Sequence, residues 1–336
     1  MHYRYATPGM PWQSFWREGT WLAPVIEVEG LVKSYGRGTG RALDDVTFTV
    51  PKGDIFGFLG PNGAGKTTTI RILSTVLDPT SGTIRIDGHD LAEDPLAVKE
   101  RLGLMPDEVA FYPTLTGEQH LRYYASFHKI PRADAKKRAK EYMERFGIGD
   151  AAGKKLKAFS HGMKKRLALA QCLLHDPEVI IMDEPANGLD PQGMRYFRDL
   201  IRSLNRDGKT IFLSSHLLSE VEQLCKRVGI IDRGKIVAVD SIENLTTGLA
   251  AGTPTILHVA ASDLSDAILE SVRGLSGVTA VERTEGGVKV TARSGADVGP
   301  DVSKAIVLGG GKLREIRTEQ RSLEDLFLSL TRGSAM

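Results

Sequence analysis

Two hydrophobic periods alternate along this chain, and their order predicts its elements. Val25-Ile26-Glu27-Val28-Glu29-Gly30-Leu31 alternates apolar and polar positions as a half-buried strand does, and Ala42 to Val50 repeats the pattern after a Gly-rich turn. Ile55-Phe56-Gly57-Phe58-Leu59 is continuously apolar, as a strand buried on both faces requires, and a helix continues through Thr68 to Leu73. Thr83 to Gly88 reads as strand and turn, and Leu102 to Met105 as a buried strand ended by Pro106. Residues 115 to 147 read as helical, with Leu121, Tyr124 and Phe127 on one face and the run Lys136, Lys137, Arg138, Lys140 as a solvated one. A further helix opens at Phe159 and runs to about His175. Val179-Ile180-Ile181-Met182 and Thr210-Ile211-Phe212-Leu213 are buried strands flanking a helix from Met194 to Leu204. Strand, polar residue, helix is the repeated plan, the arrangement in which a parallel sheet offers ligand sites at the carboxyl ends of its strands.

Beyond this stretch the pattern changes. Leu245 to Pro254 is rich in Gly, Thr and Ala and reads as a linker. Strand 255 to 260, helix 262 to 273, strands 278 to 283 and 287 to 292, helix 297 to 308 and strand 312 to 318 follow in the order of a ferredoxin-like α+β unit. A last helix is announced by Ser322 and Asp325 as a capping box before Leu326, Phe327 and Leu330. The expected division is therefore an N-terminal extension over 1–22, a large α/β domain over 23–244, a linker over 245–254 and an accessory domain over 255–336. The extension holds all three tryptophans, Trp12, Trp16 and Trp21, without periodicity or the apolar core of a signal peptide, and is expected to be a disordered tail or the product of an upstream start codon rather than a surface anchor.

A chain of 336 residues can bury two cores, and a net charge of +2 gives no reason to expect a nucleic acid held by bulk electrostatics. The two cysteines, Cys172 and Cys225, lack metal-ligand spacing and read as packing residues of a reducing compartment. No stretch approaches the ~20 apolar residues that span a bilayer, so any membrane part of the system is expected on another chain.

The chemistry concentrates after the apolar strand at 55–59. Gly60-Pro61-Asn62-Gly63-Ala64-Gly65-Lys66-Thr67-Thr68 fits the Gly-x-x-x-x-Gly-Lys-[Ser/Thr] phosphate loop without mismatch, between the strand and helix it needs. Its backbone N–H groups and helix end are suited to phosphate, Lys66 to the β- and γ-phosphates and the Thr67 hydroxyl to Mg²⁺. Asp183 and Glu184 close the strand at 179–182, the first placed to hold Mg²⁺ and the second to polarise the attacking water. His216 stands at the equivalent end of the next strand and is read as a γ-phosphate contact. Ser160 is placed as an N-cap, so its helix presents free N–H groups as well. Tyr35 is either a packed turn residue or a ring that stacks on a purine; its spacing alone leaves both open.

Together these segments resemble the nucleotide-binding subunit of an ATP-binding cassette (ABC) transporter, over Val25 to about Asn244. Gly60 to Thr68 match its Walker A motif, Val179 to Glu184 its Walker B motif, Gly188 to Asp190 its D-loop and His216 its switch histidine. Tyr35 matches the adenine-stacking aromatic. Phe159 to Met163 stand where Leu-Ser-Gly-Gly-Gln belongs, keeping Ser160 and Gly162 but with His161 and Met163 as departures, and Asp107 stands where the family has a glutamine that reaches the metal. The wording Ser-His-Gly-Met-Lys-Lys-Arg-Leu and the C-terminal extension are similar to ATPases of the ABC-2 export type. The resemblance implies a P-loop NTPase fold of ABC ATPase type, with a mixed sheet core, an antiparallel β subdomain and a helical subdomain. It implies ATP and Mg²⁺ as ligands, with Thr67, Asp107 and Asp183 at the metal, and no nucleic acid. It also implies a head-to-tail dimer with a second copy or a homologous ATPase, and a separate integral membrane permease docked near residues 107 to 130. The protein would be cytoplasmic and peripheral on the inner face of the membrane. The competing reading, a soluble ABC ATPase of translation or DNA maintenance, calls for two cassettes or a long inserted coiled coil, and neither is present; a P-loop GTPase would need an Asn-Lys-x-Asp segment, which is absent.

Overall fold

The computed structural model describes residues 23–36, 40–250, 254–319 and 322–332, so the Trp-rich segment 1–22 lies outside the described residues. Two compact units follow one another, the first ending at Ser241 and the second beginning at Ile242.

In the first unit, strands β1 (Pro24–Ser34), β2 (Arg41–Pro51), β4 (Ser81–Ile86) and β5 (His89–Asp90) form an antiparallel sheet in the order β2-β1-β4-β5. Its alternating strands bury one face, as Val46, Phe48 and Val50 on β2 show. A second sheet takes the order β10-β9-β3-β8-β7-β6. Its parallel members are β3 (Ile55–Leu59), β6 (Leu102–Met105), β7 (Val179–Met182), β8 (Thr210–Ser215) and β9 (Arg227–Asp232), and β10 (Lys235–Ser241) pairs antiparallel with β9. Every residue of β3, β7 and β8 is buried, which explains why these strands read as apolar runs rather than alternations. The two sheets meet through Phe48 on β2 and Phe56, Phe58 and Phe212 on β3 and β8, whose ring centroids lie 5.3 to 6.0 Å apart. Such stacking adds about 0.5–1.5 kcal/mol per pair beyond the area buried.

Register is what makes a site. Leu59 pairs with Ser215, Met182 with Leu213 and Met105 with Met182. The residues that follow these strands, Gly60, Asp107, Asp183, Glu184 and His216, are therefore brought to one edge of the sheet.

Helix α1 (Lys66–Leu73) leaves that edge, and α2 (Pro95–Arg101) is capped by Asp94, whose side chain accepts from Ala97 N. Helices α3 (Gly117–Phe127), α4 (Arg132–Arg145) and α5 (His161–Cys172) pack on one another as a helical lobe. The single helical stretch expected over 115 to 147 is thus two helices. The break follows from Lys129, at φ +55°, and from Pro131, which disfavours helical geometry in the residue before it. Nor is the Leu121, Tyr124, Phe127 face uniformly packed: Leu121 is fully buried, while Phe127 is 64% exposed. Thr116 and Gln119 open α3 with a reciprocal capping box. Helix α6 (Pro191–Arg206) starts on Asp190, and α7 (Leu218–Leu224) precedes β9. Cys172 and Cys225 are buried and unbridged, and burial raises both thiols far above the ordinary range, which keeps them inert.

In the second unit, residues 245–250, expected to be linker, are helical within α8 (Ile242–Ala250). Strands β11 (Thr255–Ser262), β12 (Val278–Thr284), β13 (Gly287–Ala292) and β14 (Lys312–Thr318) form an antiparallel sheet in the order β12-β13-β11-β14. With α9 (Asp266–Arg273) and α10 (Gly299–Leu308) this is the expected β-α-β-β-α-β order, around a core that includes Val259, Val272, Val290 and Ile306. Helix α11 (Leu323–Arg332) opens on the reciprocal Ser322 and Asp325 contacts of a capping box: Ser322 N donates to Asp325 Oδ2 at 3.0 Å and Asp325 N to Ser322 Oγ at 3.2 Å.

Candidate active site

The loop between β3 and α1 is shaped by its glycines. A Cβ on Gly60 would stand 2.4 Å from Ile231 O, and Gly65 holds φ +113° with Leu43 Cδ2 only 2.7 Å from where its Cβ would be. Neither position admits a side chain without moving backbone. Lys66 is 7% exposed and donates to Gly60 O at 2.6 Å and Pro61 O at 3.3 Å. Burial lowers its pKa, and the charges of Glu184 and Asp183 oppose that shift. Pro61, Asn62, Gly63, Ala64 and Thr67 complete the turn and the first residues of α1, with Thr67 exposed. Tyr35 reaches this loop: its hydroxyl lies 3.2 Å from Thr68 Oγ1, its ring is 58% exposed, and Lys33 Nζ stands 5.6 Å from the ring centroid.

Opposite the loop, Asp183 is buried and its Oδ1 accepts from Ser214 Oγ at 2.6 Å, while the same Ser214 Oγ accepts from Glu184 N at 3.0 Å. Ser214 therefore holds the Asp183 carboxylate and the backbone N–H of Glu184. The sequence alone does not single it out, since it is one of three hydroxyl residues on β8, with Thr210 and Ser215. Glu184 Oε2 accepts from His216 Nδ1 at 2.8 Å and from His216 N at 3.3 Å, and its Oε1 lies 3.9 Å from Lys66 Nζ. Walker-type lysine, carboxylate and histidine are thus gathered in one chain of contacts.

At the start of α5, Ser160 Oγ accepts from Met163 N at 3.2 Å, so the expected N-cap is made. Gly162 and Met163 are half-buried, and His161 donates from Nε2 to Asn187 O at 3.2 Å. Asp190 accepts from Gly193 N at 2.8 Å as the cap of α6. Asp107 Oδ1 lies 3.4 Å from Lys165 Nζ and 3.4 Å from Asn187 Nδ2. Lys165 and Asn187 also escaped sequence reasoning.

For a magnesium ion the donor chemistry fits at Thr67 and Asp183, a hydroxyl and a carboxylate whose orientation Ser214 fixes; such hard oxygens are what Mg²⁺ takes, with water completing the shell.

The sequence profile of ABC transporters matches residues 43–187, which span the phosphate loop, the start of α5 and the carboxylate pair. A linearmycin resistance ATP-binding protein of Bacillus subtilis is 35% identical over 91% of this chain and 98% of its own length. This chain belongs to the ABC transporter family. A daunorubicin resistance ATP-binding protein of Streptomyces coeruleorubidus is 36% identical over 91% of this chain and 95% of its own length. Among solved structures, the ATP-binding subunit of an ABC transporter superposes with a TM-score of 0.61 and 29% identity, covering 67% of this chain and 93% of that one. The ABC relationship makes the protein an ATP-binding subunit with ATPase activity and a P-loop NTPase fold, and it disfavours the soluble translation or DNA-maintenance reading. No helix among the described residues is long and apolar enough to cross a membrane.

Proposed function

We propose that this protein hydrolyses ATP to drive a separate membrane permease of ABC-2 type, and that the cargo moves outward. The single observation that carries the hydrolytic part is Glu184, joined to His216 at 2.8 Å and facing Lys66 across the phosphate loop. In this reading Tyr35 stacks on the adenine, and the loop from Gly60 to Thr68 wraps the phosphates. Lys66 leaves the carbonyls of Gly60 and Pro61 for the β- and γ-phosphates, a charge-assisted exchange that ATP favours. Thr67 and Asp183 would hold Mg²⁺, which when bound would supply positive charge against the phosphates. Glu184 takes the proton of the attacking water, and His216 orients Glu184 and contacts the γ-phosphate.

One phosphate loop cannot enclose the γ-phosphate. The helix end at Ser160, His161, Gly162 and Met163 therefore serves the site of a second ATPase, its own copy or a homologue, in a head-to-tail dimer that ATP closes and hydrolysis reopens. Asp190 lies beside that interface. The permease docks on residues 107 to 130, where Tyr112, Tyr123 and Phe127 stand exposed and edge to face. That placement makes the protein cytoplasmic and peripheral on the membrane. Relatives named for resistance to linearmycin and daunorubicin support export. The ATPase domain over 23–244 and the accessory domain over 255–336 divide the labour, the second supporting dimerisation.

The test is Glu184→Gln. The variant should bind ATP as the native protein does, lose nearly all turnover and migrate as a dimer in size-exclusion runs with ATP and Mg²⁺. Turnover at a comparable rate would remove Glu184 from the role of base.

A further inference from the structure

Lys165 is a buried charge for which the reaction just described has no use. It lies inside the second turn of α5, 4% exposed, and its Nζ meets three oxygens: Asp107 O at 3.1 Å, Asp107 Oδ1 at 3.4 Å and Glu184 O at 3.4 Å. An ammonium has three N–H donors, and burial strips it of water, so these oxygens replace its hydration shell. Two belong to the residue after β6 and Pro106, the third to the residue that carries the base.

Glu184 is the other half of the argument. Its φ is +46°, a left-handed conformation that a side chain adopts only where surroundings impose it. The surroundings here are hydrogen bonds at both ends of the residue. Its N–H donates to Ser214 Oγ at 3.0 Å, and its carbonyl accepts from Asn187 N at 3.1 Å and from Lys165 Nζ. Asn187 Nδ2 returns to Asp107 Oδ1 at 3.4 Å, which closes a ring of four residues: Asp107, Lys165, Glu184 and Asn187. A backbone fixed in this way fixes the direction in which the Glu184 side chain leaves it.

We propose that Lys165 is a positioning residue for ATP hydrolysis, which, neutralised by Asp107, holds the Glu184 carbonyl and so sets the aim of the base from α5. The inference rests on Glu184 being the base, and it gives Asp107 a role as counter-ion to Lys165 in place of the metal ligand expected from the sequence.

The experiment uses the full-length chain and the variants Lys165→Met, Lys165→Arg, Asp107→Asn and Glu184→Gln. Four quantities are measured: kcat, KM for ATP, the Mg²⁺ concentration at half-maximal rate, and amide exchange at Asn187, whose N–H is bonded to Glu184 O. Lys165→Met should lower kcat at least tenfold with KM within twofold, and speed exchange at Asn187 about tenfold while distant amides keep their protection. Lys165→Arg should recover kcat to within threefold. Asp107→Asn, which keeps the acceptor and loses the charge, should lower kcat about threefold with the Mg²⁺ requirement unchanged. The proposal is overturned if Lys165→Met keeps kcat within twofold, or if its exchange rises throughout the chain and kcat and ATP affinity fall in parallel, the mark of a stabilising role alone. A raised Mg²⁺ requirement in Asp107→Asn overturns it too, because the carboxylate would then be at the metal. Should Lys165→Met fail to fold, Asp107→Asn decides: native kcat and native exchange at Asn187 would sink the idea. Active Glu184→Gln would sink the base and this inference together, whereas inactive Glu184→Gln beside fully active Lys165→Met sinks only the inference.

Discussion

One oxygen of the Glu184 carboxylate accepts from His216 Nδ1 at 2.8 Å while the other lies 3.9 Å from Lys66 Nζ. The carboxylate is therefore shared between an imidazole that aims it and an ammonium that belongs to the phosphates. Removing the imidazole shifts that balance towards Lys66. His216→Ala should lower kcat about 100-fold, within the range that general acid–base groups contribute, with KM for ATP changed less than threefold. Steady-state ATPase kinetics decide it, and an equal loss in affinity would make His216 a binding residue instead.

Lys66 carries the complementary prediction. Its ammonium now rests on the carbonyls of Gly60 and Pro61, partners that a phosphate outcompetes because it is charged. Lys66→Met keeps the length of the stem and removes the charge. ATP affinity should fall by about 1.5–3 kcal/mol, roughly ten- to a hundredfold, the worth of a hydrogen bond to a charged group. Titration with a fluorescent ATP analogue measures it, with far-UV circular dichroism as the control for folding. Native affinity would mean that Lys66 stays on its carbonyls when nucleotide binds.

Much of this site was legible because its signals are local. The phosphate loop is contiguous, and the apolar strands 55–59, 179–182 and 210–213 name their own ends, so Lys66, Asp183, Glu184 and His216 could be placed before any fold was known. Ser214 and Lys165 could not. The role of Ser214 depends on the register between β7 and β8, which no local pattern states. Lys165 sits in the run Lys164-Lys165-Arg166, where a buried cation looks like a solvated face until α5 is laid against β6. The break between α3 and α4 hides for a different reason, because the periodicity on both sides is helical and only Pro131 marks it. Residues 245–250 have linker composition, yet α8 packs with α11, and tertiary contact overrides weak propensity.

The boundary between the units gives a third prediction. A cut after Asn244 falls inside α8, whereas the first unit ends at Ser241. A chain ending at Ser241 should retain ATP affinity within about threefold, since each residue placed at the nucleotide lies before it, and should express as well as or better than one ending at Asn244. Loss of all nucleotide binding in a folded 1–241 chain would contradict the division of labour.

The last prediction concerns acid. His175 Nε2 donates to Leu102 O at 3.0 Å, and its ring stacks on His128 at 3.9 Å between centroids, 3° from parallel. Burial, together with the neighbouring His128 charge, lowers its pKa from 6.5 to about 4; Asp176 opposes the shift and Arg138 adds to it. Burial lowers His128 and His120 as well, and His120 Nδ1 is buried without a hydrogen-bond partner. The sign follows from linkage: between about pH 4 and 6.5 the unfolded chain binds protons at His175 that the folded chain does not, so stability there rises with pH. The contribution is complete above 6.5 and disappears as pH falls towards 4. For a ring still partly exposed, roughly 1–2 kcal/mol is the expected size, less than the full shift would give. Urea midpoints of the native chain should therefore drop between pH 7.5 and 5, and His175→Gln, which keeps a donor for Leu102 O and does not titrate, should show a shallower drop. Parallel curves for the two proteins would show that the proton is taken up elsewhere, with His120, fully buried against Gln171, the next residue to replace.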